Sequence, residues 1–147
     1  MCLENRSLIS KLRSCLSSME NVLFAILYGS AARGELVAES DIDIAIYTSN
    51  EMKIDDRIEL IYRLAKCLGI IEDKIDIVIL NNLTPLELRY KIFRDGILIL
   101  ARNMELYRRY RDESISMYLD LKVALKAVRY GEIYINKMRA ELSGTEG

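Results

Sequence analysis

A chain of 147 residues, 51% of them hydrophobic and with a formal charge of −1, has the size and composition of one domain with an ordinary buried core. Its charges are interspersed and nearly balanced, which argues against an extensive nucleic-acid footprint. It contains no histidine, which excludes His-based triads, His-ligated zinc and His general bases together. Chemistry here has to run on carboxylates, hydroxyls, thiols or a bound cation. In chain order, residues 7–19 put Leu8, Leu12, Cys15, Leu16 and Met19 on one helical face. Residues 22–28, VLFAILY, predict a buried strand stopped by Gly29. Ala31–Arg33 fits a short helical turn and residues 35–40 a loop. Residues 41–47, DIDIAIY, alternate: Ile42, Ile44 and Ile46 face one way, Asp41, Asp43, Ala45 and Tyr47 the other.

Residues 54–68 predict a helix with Ile54, Ile58, Ile61, Leu64, Ala65 and Leu68 on its apolar stripe and Gly69 as its C-cap. A third strand follows at 75–80, IDIVIL. Thr84-Pro85-Leu86-Glu87 reads as a helix start with Thr84 capping, and that helix should end near Asp95 at Gly96. Residues 97–100 predict a short fourth strand. From Met104 to Arg139 the pattern is helical, with Tyr107, Tyr110, Tyr118, Leu121, Leu125 and Val128 along one face and Gly131 as a candidate interruption. The tail SGTEG reads as disordered. Cys2, Cys15 and Cys67 lack a C-x-x-C spacing and read as reduced thiols of a cytoplasmic protein. No signal peptide is expected, and no apolar run approaches the ~18 residues of a membrane span. The fold expected is α/β (α+β): a small mixed sheet of about four strands flanked by helices, with a C-terminal helical segment.

Two carboxylates one residue apart at the start of an apolar strand require an explanation, because an unpaired buried carboxylate is costly. Strand residues i and i+2 share a face, so Asp41 and Asp43 point the same way. Asp76, flanked by Ile75 and Ile77, is a third acid on a later strand. If the two strands are neighbours, the acids converge on a patch suited to one or two Mg²⁺ ions and a substrate phosphate. Gly29 lets the backbone approach a phosphate, Ser30 can donate to it, and Arg33 can pair with it one turn later. Other motifs fail. An EF-hand loop breaks at Ala45 and Ile46, and a P-loop breaks at Glu35 and Leu36 after GSAARG. There is no G-x-G-x-x-G, and the haloacid dehalogenase pattern fails at Ala45.

With Gly29, Ser30, Asp41, Asp43 and Asp76 in view, the chain resembles the DNA polymerase β-like nucleotidyltransferase superfamily. Within it, the chain is similar to the MNT group, the minimal nucleotidyltransferase antitoxins of HEPN/MNT toxin–antitoxin pairs. The resemblance spans roughly residues 20–125 and includes "GSAARGELVAESDIDIAIY" and "KIDIVILNNLTPLELRYKIFRDGILIL". It implies Mg²⁺ held by Asp41, Asp43 and Asp76, and ATP as substrate, with Gly29, Ser30 and Arg33 on the nucleotide. It also implies a tyrosine hydroxyl of a partner HEPN-domain toxin as acceptor, with Asp76 also placed to take its proton. Residues 1–103 would form the nucleotidyltransferase core, 104–142 one or two helices packing on it, and 143–147 a tail. Two other readings stay open: an antitoxin that acts by occluding its partner, and a transferase for a small molecule such as an antibiotic. Oligomerisation is possible on any of these readings.

Overall fold

The computed structural model describes residues 3–34 and 41–144; the expected loop at 35–40 lies outside them. Helix α1 (Leu3–Ser17) leads into strand β1 (Val22–Tyr28), a single turn α2 (Gly29–Ala32) and strand β2 (Ile42–Thr48). Helix α3 (Ile54–Leu68) and a 3-10 turn (Glu72–Lys74) precede strand β3 (Ile75–Ile79). Helix α4 (Leu86–Asp95), strand β4 (Ile97–Ala101) and helix α5 (Met104–Gly144) complete the order. The strands form one mixed sheet in the order β3-β2-β1-β4. Strand β1 pairs antiparallel with β2 and β4, while β2 and β3 run parallel, joined through α3 as a parallel pair requires. The four-stranded mixed sheet flanked by helices is the expected fold.

The alternation in DIDIAIY divides the core in two. Ile42, Ile44 and Ile46 bury against α1 and α3 together with Leu12, Leu16, Leu64 and Ile77. Ala45 and Tyr47 face the opposite cluster, with Phe24, Ile26 and Ile92. That second cluster is aromatic: Phe24 stacks on Tyr47 at 4.9 Å and meets the edge of Tyr107 at 5.4 Å. Tyr110 donates to the Leu80 carbonyl at 2.8 Å. Helix α5 is docked here, on the side of the sheet opposite α1 and α3. Beyond Tyr118, every residue of α5 through Gly144 is exposed. Among the described residues no helix is long and apolar enough to cross a membrane.

Several local expectations are corrected. Helix α3 rests on the sheet through Leu60, Leu64 and Ala65, whereas Ile54 and Ile58 are 78% and 59% exposed. The periodicity allows neighbouring stripes, and packing selects the one centred on Leu64. Gly69 does end that helix, in the left-handed conformation at φ 71°. Thr84 does not cap α4. Its hydroxyl donates back to the Ile79 carbonyl at 3.1 Å, leaving Pro85 as the N-cap residue. Gly131 does not interrupt α5, because one glycine costs a long helix only about 1 kcal/mol. Ser143 and Gly144 remain helical, and the rest of the expected disordered tail, 145–147, lies outside the described residues.

Cys15 and Cys67 are not reduced thiols; they form a disulfide that ties α1 to α3 across a sequence separation of 52. No C-x-x-C spacing signals it, because packing of α1 beside α3 brings the two Cα atoms to 6.0 Å. Closing a loop of that length restricts the unfolded chain. Reduction is expected to cost about 2–4 kcal/mol, read as a lower urea midpoint with dithiothreitol than without.

Candidate active site

The parallel pairing of β2 with β3 sets Asp43 directly beside Asp76. The antiparallel pairing of β1 with β2 sets Tyr28 opposite Asp43. Gly29 follows at once, with φ 70°, and a Cβ there would run into the Asp43 carboxylate, whose Cγ would be only 3.2 Å away. The glycine is therefore required twice, by its backbone conformation and by the carboxylate lying against it. Ser30 is half-buried in α2, next to the chain's turn away from the sheet. Arg33 ends that turn; its positive charge bears on both Asp43 and Asp95.

The electrostatics identify where charge is crowded. Burial raises the Asp43 carboxyl above its ordinary range, and the negative charges of Asp76 and Asp41 raise it further; Arg33 opposes them. The Tyr28 hydroxyl is pushed up to about 12, first by burial and then by Asp43 and Asp76. Asp76 projects from the edge strand and has Arg57 of α3 at 3.6 Å, an exposed ion pair. Asp41 is exposed just before β2.

The structure thus brings together Gly29, Asp43 and Asp76, with Asp41 and Arg33 near enough for their charges to act on Asp43. Among the described residues, no three carboxylates are gathered into a preformed metal cage. The donors nonetheless suit a divalent cation. Asp43 carries a repulsion from two neighbouring carboxylates that a cation between them would relieve, and hard oxygen donors are what Mg²⁺ selects. Ser40 and Glu35 of the motif, and Glu39, lie outside the described residues.

Tyr28 and Arg57 were not singled out by the sequence. Tyr28 is legible in hindsight as the residue that pairs with Asp43 once the β1–β2 register is known. Arg57 has no local signal, since its place beside Asp76 depends on the α3 crossover. Arg102 has no part in the site: its guanidinium donates to the carbonyls of Val22, Ser17 and Met19 at 2.8–3.1 Å, securing the end of α1.

The polymerase beta, nucleotidyltransferase family matches residues 10–105 of the chain. No curated protein matches it. Among solved structures, it is similar to a chain from the crystal structure of a toxin–antitoxin with AMP-PNP, at 23% identity and a TM-score of 0.68. That likeness covers 85% of this chain and 98% of the other. It is similar to a chain from the tri-AMPylated Shewanella oneidensis HEPN toxin in complex with MNT antitoxin, at 22% identity and a TM-score of 0.58, covering 89% and 97%. A chain of the toxin–antitoxin MntA–HepT gives 22% identity and a TM-score of 0.59 over the same shares. At these identities the likeness is one of fold.

Proposed function

Since this chain belongs to the polymerase beta nucleotidyltransferase family, we propose that it is an MNT-type antitoxin that transfers AMP from ATP to a tyrosine hydroxyl of a partner HEPN-domain toxin. The observation that carries this reading is Asp43 and Asp76 side by side on adjacent strands, with Gly29 leaving room against the Asp43 carboxylate. The fold it shares with chains from toxin–antitoxin complexes, one with an AMPylated toxin, supports the choice of acceptor.

In the proposed mechanism Asp41, Asp43 and Asp76 hold Mg²⁺. Bound there, the ion supplies charge neutralisation for the triphosphate and for the departing pyrophosphate. Ser30 and the adjacent N–H groups donate to phosphate oxygens, and Arg33 adds a positive charge. Asp76 accepts the proton of the incoming phenol. The phenolic oxygen bonds to the α-phosphorus as the bond from that phosphorus to the β-phosphate bridging oxygen breaks, and pyrophosphate leaves. Arg57 steadies Asp76 before substrate enters. The proposed setting is the cytoplasm, a reading that rests on the need for ATP and Mg²⁺ and no longer on the cysteines, two of which are paired.

The test is incubation with the HEPN partner, Mg²⁺ and α-labelled ATP, followed by mass analysis of the partner. One or more AMP units on tyrosine is the expected result. Neutralisation of the toxin without label would instead assign the chain to occlusion, and label on a small acceptor alone to small-molecule transfer. Gly29→Ala should lower transfer about 100-fold by displacing Asp43. It should also cost about 1–2 kcal/mol in stability from the left-handed backbone; transfer at the unmodified rate would remove Gly29 from the site.

A further inference from the structure

Helix α5 carries two different halves on one continuous stripe. Its foot docks through Tyr107, Tyr110 and the buried Ser114. The same alternating three- and four-residue spacing then continues outward through Met117, Leu121, Ala124, Val128, Gly131, Ile135, Met138 and Leu142. The large side chains of that outer stripe are 41–68% exposed. A spacing of 3.5 residues is the period of a coiled-coil seam, and beyond Tyr118 no part of the sheet lies under it. Over 26 residues it runs ~39 Å.

We propose that residues 117–142 pair antiparallel with the same segment of a second copy of this chain. The seam has two kinds of position. Leu121, Val128, Ile135 and Leu142 are branched and large, while Met117, Ala124, Gly131 and Met138 alternate with them. Antiparallel pairing about a two-fold axis between Arg129 and Tyr130 maps the segment onto itself. It sets Val128 over Gly131, Ile135 over Ala124, Leu121 over Met138 and Leu142 over Met117 of the second copy. Each small residue is thus filled by a β-branched one. Parallel pairing sets Ala124 on Ala124 and Gly131 on Gly131, leaving voids at two central layers that close packing does not tolerate.

The flanks are compatible with this choice. Tyr118 falls beside Arg139 of the second copy, a ring and a guanidinium. Leu125 covers the stem of Glu132, and Ala127 makes room for Tyr134. The unfavourable pair, Asp120 with Glu141, lies at the two exposed ends, where salt screens it. Six large seam side chains at ~100 Å² each, with Tyr118, Leu125 and Tyr134 beside them, reach about the 800 Å² per partner of a stable interface. The seam lies outside the proposed active site, so its failure and failure of the transferase reading are separable.

Sedimentation of the full chain at micromolar concentration should give twice the chain mass of 16.9 kDa. Val128→Asp puts a charge at a central layer twice per dimer and should raise the dissociation constant about 100-fold or more. Val128 is 60% exposed in the single chain, so the variant's folded core should be unchanged by near-UV circular dichroism. For orientation, Ala124→Cys and Ile135→Cys chains, each with Cys2→Ser, would be mixed in equal amounts and oxidised. Cross-links between the two different variants are expected. Cross-links joining Ala124→Cys to itself would overturn the antiparallel arrangement. A monomeric full chain, or a dimer unaffected by Val128→Asp, would overturn the pairing itself; if α5 becomes covered only when the HEPN toxin is added, that partner and not a second copy is the occupant.

Discussion

Asp43→Asn is expected to reduce AMP transfer by about a thousandfold or more and, at the same time, to stabilise the chain in the absence of nucleotide and metal. The loss follows from removing one of the proposed Mg²⁺ ligands, which takes away both the ion's position and the neutralisation of transition-state charge. The gain follows from the crowding of carboxylates. Burial and the charges of Asp76 and Asp41 raise the Asp43 carboxyl in the folded chain, so the folded state holds that proton more tightly than the unfolded one. Its contribution to stability is full below the ordinary aspartate range and is lost as pH rises through the raised value. Asparagine carries no charge to be repelled. Thermal melts of the two proteins should therefore agree in acid and separate toward neutral pH, with the variant melting higher. Adding Mg²⁺ and a non-hydrolysable ATP analogue should reverse the order, because ligand binding then favours the unmodified protein. A variant that transfers AMP normally would remove Asp43 from the mechanism. One that melts lower than the parent at neutral pH without ligand would remove the repulsion.

Phe24→Ala should be among the most damaging single changes, at about 3–5 kcal/mol. Phe24 is fully buried at the middle of β1. Its ring contacts Tyr47 at 4.9 Å, Tyr107 at 5.4 Å and Tyr110 at 5.9 Å, so it joins the sheet to the foot of α5. Truncation leaves a cavity bounded by three rings that cannot all move into it. Urea unfolding should show the loss, and limited proteolysis should reach residues 104–118 sooner than in the parent protein. Phe24→Leu, which keeps most of the volume, should cost about 1 kcal/mol. Equal losses for the two variants would contradict the cavity explanation.

The strands and the acids on them were legible in the sequence because their signals are local. DIDIAIY alternates, VLFAILY is apolar throughout, and each expected strand falls within a residue or two of its observed span. The same alternation announced that Ala45 and Tyr47 would face away from Ile42, Ile44 and Ile46, and the two core clusters bear that out. Whether Asp43 and Asp76 would meet was conditional on strand order, a tertiary fact, and the β2–β3 pairing supplies it. The features that escaped are also tertiary. The Cys15–Cys67 bridge needs α1 beside α3, and Arg57 reaches Asp76 only because α3 crosses over at the sheet edge. The apolar stripe of α3 was misplaced at Ile54 and Ile58 because helical periodicity gives a face but not the angle at which the sheet receives it. Thr84 departs from the expected cap for a simpler reason: a hydroxyl near the end of a strand has carbonyls to choose from besides its own helix.

Asp76 lies on an outermost strand, and its side chain is 55% exposed. On the proposed mechanism the proton acceptor stands on an open ledge, with no wall among the described residues on its outer side to measure what approaches. Such a centre accepts a bulky, folded protein without any lid having to move, which a closed pocket would not. It also gives little discrimination by fit, so the choice of acceptor passes to surfaces that hold the partner in place at a distance. Water has the same free approach as a phenol. Slow, unproductive breakdown of ATP by the unpartnered protein, suppressed once a partner shields the ledge, is the corresponding consequence.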